Sequence, residues 1–209
     1  MNPFSIEAIA FEIAGHPVSW IELIGTLFGL VSVALAGRPH ILTWPTGIIN
    51  EIFLFLLFFQ VQLYADMLLQ VYFLVITLYG WYHWRRQGGV PSVSALTWRQ
   101  RAMWLVGILI GTLGMGWWLS GVHLSLPTYF PAPAAFPYID AWVMMASIAA
   151  TVLLARKKWE SWWLWIAVDV VSIVLYFKKD IAFLAAEYVV FLGLAVFGLL
   201  NWRRQMQHG

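Results

Sequence analysis

The chain has 209 residues, of which 62% are hydrophobic and only 11% charged, against roughly 45–50% apolar and about 25% charged in soluble domains. That balance excludes a soluble globular fold, and a net charge of +2 without a Lys/Arg-rich tract among aromatics leaves no groove for nucleic acid. With no cysteine, disulfides, thiolate metal sites and cysteine nucleophiles are excluded too.

In chain order, residues 1–19 carry Glu7 and Glu12 and no basic cluster. They read as an interfacial segment, a short helix, rather than a cleaved signal peptide. Crossing roughly 30 Å of hydrocarbon takes about 20 apolar residues. Seven such runs follow, from Ile21 to Gly37, Leu42 to Phe59, Tyr64 to Trp84, Arg101 to Gly121, Ile139 to Ala155, Ser161 to Phe177 and Ile181 to Trp202. The fold class expected is an all-α integral membrane protein with seven transmembrane helices.

Charge sets the direction. With the N-terminus outside, the inner loops and tail collect Arg38, Arg85, Arg86, Arg99, Arg101, Arg156, Lys157, Lys158, Arg203 and Arg204. Only Lys178 and Lys179 fall outside, and the connection 122–138 has no basic residue. The positive-inside rule then predicts a multi-pass chain with its N-terminus out and its C-terminus in.

Shifting the sequence by 118 positions lays 21–87 on 139–205 without a gap. Arg38 meets Arg156, Trp44 meets Trp162, Gly80 meets Gly198, and Trp84, Arg85, Arg86, Gln87 meet Trp202, Arg203, Arg204, Gln205. The acids coincide as well, Glu22 with Asp140 and Glu51 with Asp169. Both units end in a basic cluster, so they share one orientation, and the intervening span must return the chain across the membrane. The predicted organisation is a first three-helix repeat over 20–87, a linker span over 99–121 and a second repeat over 138–205, forming one functional domain. This parallel 3+1+3 plan is SWEET-like and places a solute site between the halves.

Ionisable groups within spans are costly and mark function by default. Asp169 lies mid-way along the sixth span, Asn50 and Glu51 mid-way along the second, Glu187 in the seventh, and Gln70, whose repeat partner is Tyr188, in the third. Trp162, Trp165, Asp169, Ser172 and Tyr176 fall on one helical face, as do Asp66, Gln70, Phe73 and Thr77. Carboxylates among aromatics suit a flat ring bearing hydrogen-bonding groups. Trp84 and Trp202 read instead as interfacial anchors, and Arg38 and Arg156 as snorkelling topology signals.

Enzymes fit less well. The five histidines show no metal-ligand spacing, no GxSxG is present, and the last span has no lysine to form a Schiff base. No catalytic residue, metal or cofactor is expected.

The strings WPTGIINEIFLF at Trp44 to Phe55, QLYADMLLQVYFLVITLYGWYHW at Gln62 to Trp84, and the second-half stretch holding Asp169, Tyr176 and Tyr188 resemble the PnuC family of nicotinamide riboside transporters. The resemblance covers Ile21 to Arg204. It implies the three, one, three fold, a homotrimer in the bacterial inner membrane, and uptake of an NAD precursor by facilitated diffusion with trapping by cytosolic phosphorylation. It also implies Asn50, Gln70, Asp169 and Tyr188 as polar contacts, with Trp44, Phe73 and Trp162 as stacking or gating aromatics. Other readings are a SWEET-like sugar or nucleoside carrier, a carrier of thiamine or riboflavin, and a membrane scaffold subunit.

Overall fold

The computed structural model describes residues 4–13, 16–60, 64–86, 92–128, 133–178 and 182–208. The N-terminal segment is not the expected helix. It forms an antiparallel hairpin of β1 (Ile9–Ile13) and β2 (His16–Ser19), pairing Phe11 with Val18 and Ile13 with His16. Pro17 and the preceding Gly15 interrupt any helical run, while Ile9, Phe11 and Ile13 alternate at strand period. The segment is anchored by Gln60, whose amide accepts from the Ile6 N–H at 3.1 Å and donates to the Phe4 carbonyl at 2.8 Å.

Seven helices follow: α1 (Trp20–Gly37), α2 (Thr43–Gln60), α3 (Tyr64–Arg86), α4 (Trp98–Ser125), α5 (Pro137–Ala155), α6 (Glu160–Lys178) and α7 (Ala182–His208). Their starts carry the expected chemistry. Ser19 caps α1 by accepting from the Glu22 N–H, Thr97 and Gln100 form a capping box on α4, and Pro137 opens α5, where its missing N–H costs nothing. Among the described residues, five helices, α1, α4, α5, α6 and α7, are long and apolar enough to cross a membrane. α2 and α3 carry the polar residues Asn50, Glu51 and Gln70 within otherwise apolar helices.

Consecutive helices pack as α1 on α2, α2 on α3, α5 on α6 and α6 on α7, and α4 lies along α5. The two halves exchange their third helices: α3 packs on α5, and α7 on α1. α5 is the most enclosed span, with Ala141, Ala146, Ala149, Ala150 and Ala155 buried. Small side chains let backbones approach closely where lipid offers no hydrophobic drive for helix association. On the outer face of α4, Met103, Ile110, Trp117 and Leu124 are each at least 65% exposed, as lipid-facing residues of a span are.

Trp84 and Trp202 are not interfacial anchors. Both are fully buried, because each indole N–H reaches across to a carbonyl of the opposite half. Trp84 Nε1 donates to Ala155 O at 3.0 Å, and Trp202 Nε1 to Ala36 O at 2.9 Å. Each packs edge-on against a second tryptophan, Trp44 for Trp84 at 5.1 Å and Trp162 for Trp202 at 5.5 Å. Those rings in turn lie where a Cβ on Gly80 or Gly198 would be, so only glycine fits at either position. Lys157, counted above among the topology charges, is 1% exposed and does not reach solvent as they do.

Candidate functional site

Helical rise sets the candidates in layers. Counting from the end rich in arginine and lysine, Trp84 and Trp202 lie outermost, then Trp44 and Trp162 at the starts of α2 and α6. Glu51 and Asp169 are seven residues further along the same helices, or roughly 10 Å deeper at 1.5 Å per residue. Seven residues is close to two turns, so each carboxylate falls beneath its tryptophan on one face.

Both tryptophans and both carboxylates are buried: Trp44 at 3% exposure, Glu51 at 7%, Trp162 at 1% and Asp169 at 2%. Several of their polar atoms have no protein partner. Trp44 Nε1, Glu51 Oε2, Trp162 Nε1 and Ser172 Oγ are all buried without a hydrogen bond, and none to Asp169 is found among the described residues. A buried polar group left unpaired costs about 1–3 kcal/mol. Four such atoms on the same faces of α2 and α6 therefore form a set of donors and acceptors suited to a polar solute or water.

The other candidates divide. Tyr176 and Tyr188 stack at 5.4 Å with rings 17° from parallel, and the Tyr188 side chain lies near Asp169 and Ser172. These residues, with Asp169, make one cluster between α6 and α7. Gln70 is buried on α3. Phe73 is half-buried there, its ring edge-on to Tyr72. Asn50 holds helices together: its amide donates to Gly25 O at 2.8 Å, tying α2 to α1. Glu187 lies at the contact of α7 with α1, with Thr26 and Glu22 nearby. The Asp66 side chain lies outside the described residues.

A family model described as nicotinamide mononucleotide transporter matches residues 19–204. The chain belongs to that family. It is 32% identical over 225 residues to "Nicotinamide riboside transporter PnuC" of Escherichia coli (strain K12), an alignment spanning 97% of this chain and 94% of that protein. It is 29% identical over 198 residues to "Riboflavin/roseoflavin transporter RibM" of Streptomyces davaonensis, spanning 92% and 89%. A solved structure, "Crystal structure of the Vitamin B3 transporter PnuC", superposes with a TM-score of 0.69 at 23% identity, over 90% of this chain and 83% of that one. This last likeness shows the fold. The family is one of membrane transporters, not of enzymes.

Within this family member, one partner of the site went unassigned in the sequence. Thr77 donates its hydroxyl to Glu51 Oε1, so one carboxylate oxygen is held while the other stays unpartnered. Thr77 does lie on the α3 stripe with Gln70 and Phe73, but spacing within a helix says nothing about which neighbouring helix a side chain meets. Ser172, fully buried one turn beyond Asp169, was legible only as part of a helical face.

Proposed function

We propose that this chain is a nicotinamide riboside carrier that takes up this NAD precursor across a bacterial inner membrane by facilitated diffusion. It works as seven spans in a SWEET-like 3+1+3 arrangement, N-terminus out and C-terminus in, with 20–87 and 138–205 as repeats about the linker α4. The observation that carries the reading is the pair of buried carboxylates, Glu51 and Asp169, each beneath a tryptophan whose indole N–H has no partner. A pyridinium ring joined to a ribose brings what these groups lack: a fixed cation for the carboxylates, an aromatic face for the rings, and hydroxyls for the indole N–H groups and Ser172. Asp169, Tyr188, Tyr176, Trp162, Trp44, Glu51, Gln70 and Phe73 are the proposed contacts. Asn50 and Glu187 support them from the interfaces they bridge. The relatives named for nicotinamide riboside favour this substrate.

Moving one cation inward gains about 2.3 kcal/mol per 100 mV of inside-negative potential, so uptake needs no coupling ion. Cytosolic phosphorylation then traps the product. Lipid-exposed faces leave room for a homotrimer, the assembly that completes the proposal. A second reading, riboflavin as the substrate, is favoured by the riboflavin/roseoflavin relative. Riboflavin carries no fixed cation.

The test is uptake of labelled nicotinamide riboside into proteoliposomes, with and without an inside-negative potential. Saturable uptake that the potential enhances and that riboflavin does not compete supports the reading. Saturable riboflavin uptake with none of the riboside overturns the substrate and keeps the carrier.

A further inference from the structure

The turn between α5 and α6 holds three successive cations with three different fates. Arg156 is exposed, and Lys158 donates its Nζ to Ser94 Oγ at 2.8 Å. Lys157 turns inward. Its backbone has φ 56°, the left-handed conformation that helix ends usually give to glycine because a Cβ is strained there. What that strain achieves is direction, since it sends the side chain into the protein rather than along its neighbours' path to solvent.

The destination is the seam between the halves. Lys157 Nζ is 4.5 Å from the centroid of the Trp84 ring and 4.8 Å from that of Trp202. One ammonium thus bridges two indoles at corresponding positions of α3 and α7, helices with no extended packing on one another. It faces the two indole rings and has no hydrogen-bond acceptor among the described residues. The turn is strapped from outside by the segment before α4: Ser94 N–H donates to Lys157 O at 3.0 Å, and Trp159 N–H to Ser94 O at 3.1 Å. The position 118 residues earlier is Pro39, whose ring forbids positive φ. A gap between two symmetry-related indoles has room for one cation, and only the second half supplies it.

We propose that Lys157 is the gate at the inner end of the solute pathway, its side chain closing the gap between Trp84 and Trp202 and its withdrawal opening the site to the cytoplasm. The inference rests on the carrier reading and orientation proposed above. Beneath the plug come Trp44 and Trp162 and then the carboxylates, so a solute leaving toward this end meets Lys157 last. Trp84 and Trp202 are hydrogen-bonded to the opposite half, whereas the ammonium between them is held by ring faces alone. It is the closing group that can leave without breaking a hydrogen bond.

The chain has no cysteine, so Lys157→Cys supplies a single thiol for an impermeant maleimide applied from the inner side, with Arg156→Cys as control. Binding of nicotinamide riboside to the parent and each variant is read first, by tryptophan quenching. The expected result is a Lys157→Cys thiol at least about ten-fold less reactive than Arg156→Cys at rest and at least about five-fold faster with bound riboside, the control unchanged. In parallel, Lys157→Ala should bind the riboside within about three-fold of the parent in detergent yet lose about ten-fold in uptake, a split that general destabilisation does not produce. A thiol whose reactivity ignores bound riboside, or parent-like uptake by Lys157→Ala, overturns the gate. A parent that binds no riboside overturns the carrier's substrate, and the same labelling with riboflavin then decides the gate separately.

Discussion

Helices α1 to α3 and α5 to α7 share a frame. In each, a tryptophan at the start of the second helix lies on a glycine of the third and meets a second tryptophan edge-on, and that second indole donates to the other half. Among the many positions where they differ, three bear on the site and its inner end. Glu51 has the Thr77 hydroxyl, whereas Ala195 stands 118 residues after Thr77 and Asp169 has no such donor among the described residues. Gln70 corresponds to Tyr188, and Pro39 to Lys157. The shared residues carry packing, which both halves need equally. The differing ones include residues proposed to contact the solute or close its path, and a solute without two-fold symmetry would need two unlike walls.

The largest effect should come from the unheld carboxylate. Asp169→Asn is expected to lower uptake efficiency about ten- to hundred-fold, the loss typical of a hydrogen bond or ion contact to a charged partner. Glu51→Gln should lower it less than about ten-fold, since Thr77 already satisfies one of its oxygens. Equal losses in radiolabelled uptake would erase the distinction between the halves.

Packing should respond symmetrically. Gly80→Ala and Gly198→Ala each force a methyl into a tryptophan ring, and each should cost about 1–3 kcal/mol in reversible unfolding. A neutral Gly198→Ala beside a damaging Gly80→Ala would mean the two Trp–Gly contacts are not equivalent. Trp84→Phe and Trp202→Phe, leaving the Ala155 and Ala36 carbonyls without a donor, should each cost about 1–3 kcal/mol on the same measurement.

A pH dependence should be peculiar to the second half. Burial pushes the Lys157 ammonium from 10.5 down to about 7, against which its two indole faces favour the charge. Because the folded state then binds fewer protons than the unfolded one between those values, stability should rise from about pH 7 to about pH 10.5. Thermal midpoints of the parent should climb relative to Lys157→Met across that window. Parallel curves would show that Lys157 keeps an ordinary lysine pKa in the folded protein.

Sequence by itself determined the membrane class, the seven helices to within a few residues at most ends, and which buried polar groups deserve a functional question. Those follow from composition and run length, because hydrocarbon tolerates few unpaired polar groups. It also showed Trp44 and Trp162, and Glu51 and Asp169, as matched pairs, since a fixed offset is visible without any geometry. Tertiary structure alone decided which helix each side chain meets. Trp84 and Trp202 sit at span ends, as interfacial anchors do, and only the approach of the opposite half buries them. Asn50 and Glu187 could be picked out as polar residues within spans, but only the fold shows that Asn50 meets the Gly25 carbonyl of α1 and that Glu187 lies beside Thr26. Lys157 reads in sequence as one charge in a basic cluster, and a single backbone angle turns it from the membrane surface into the protein.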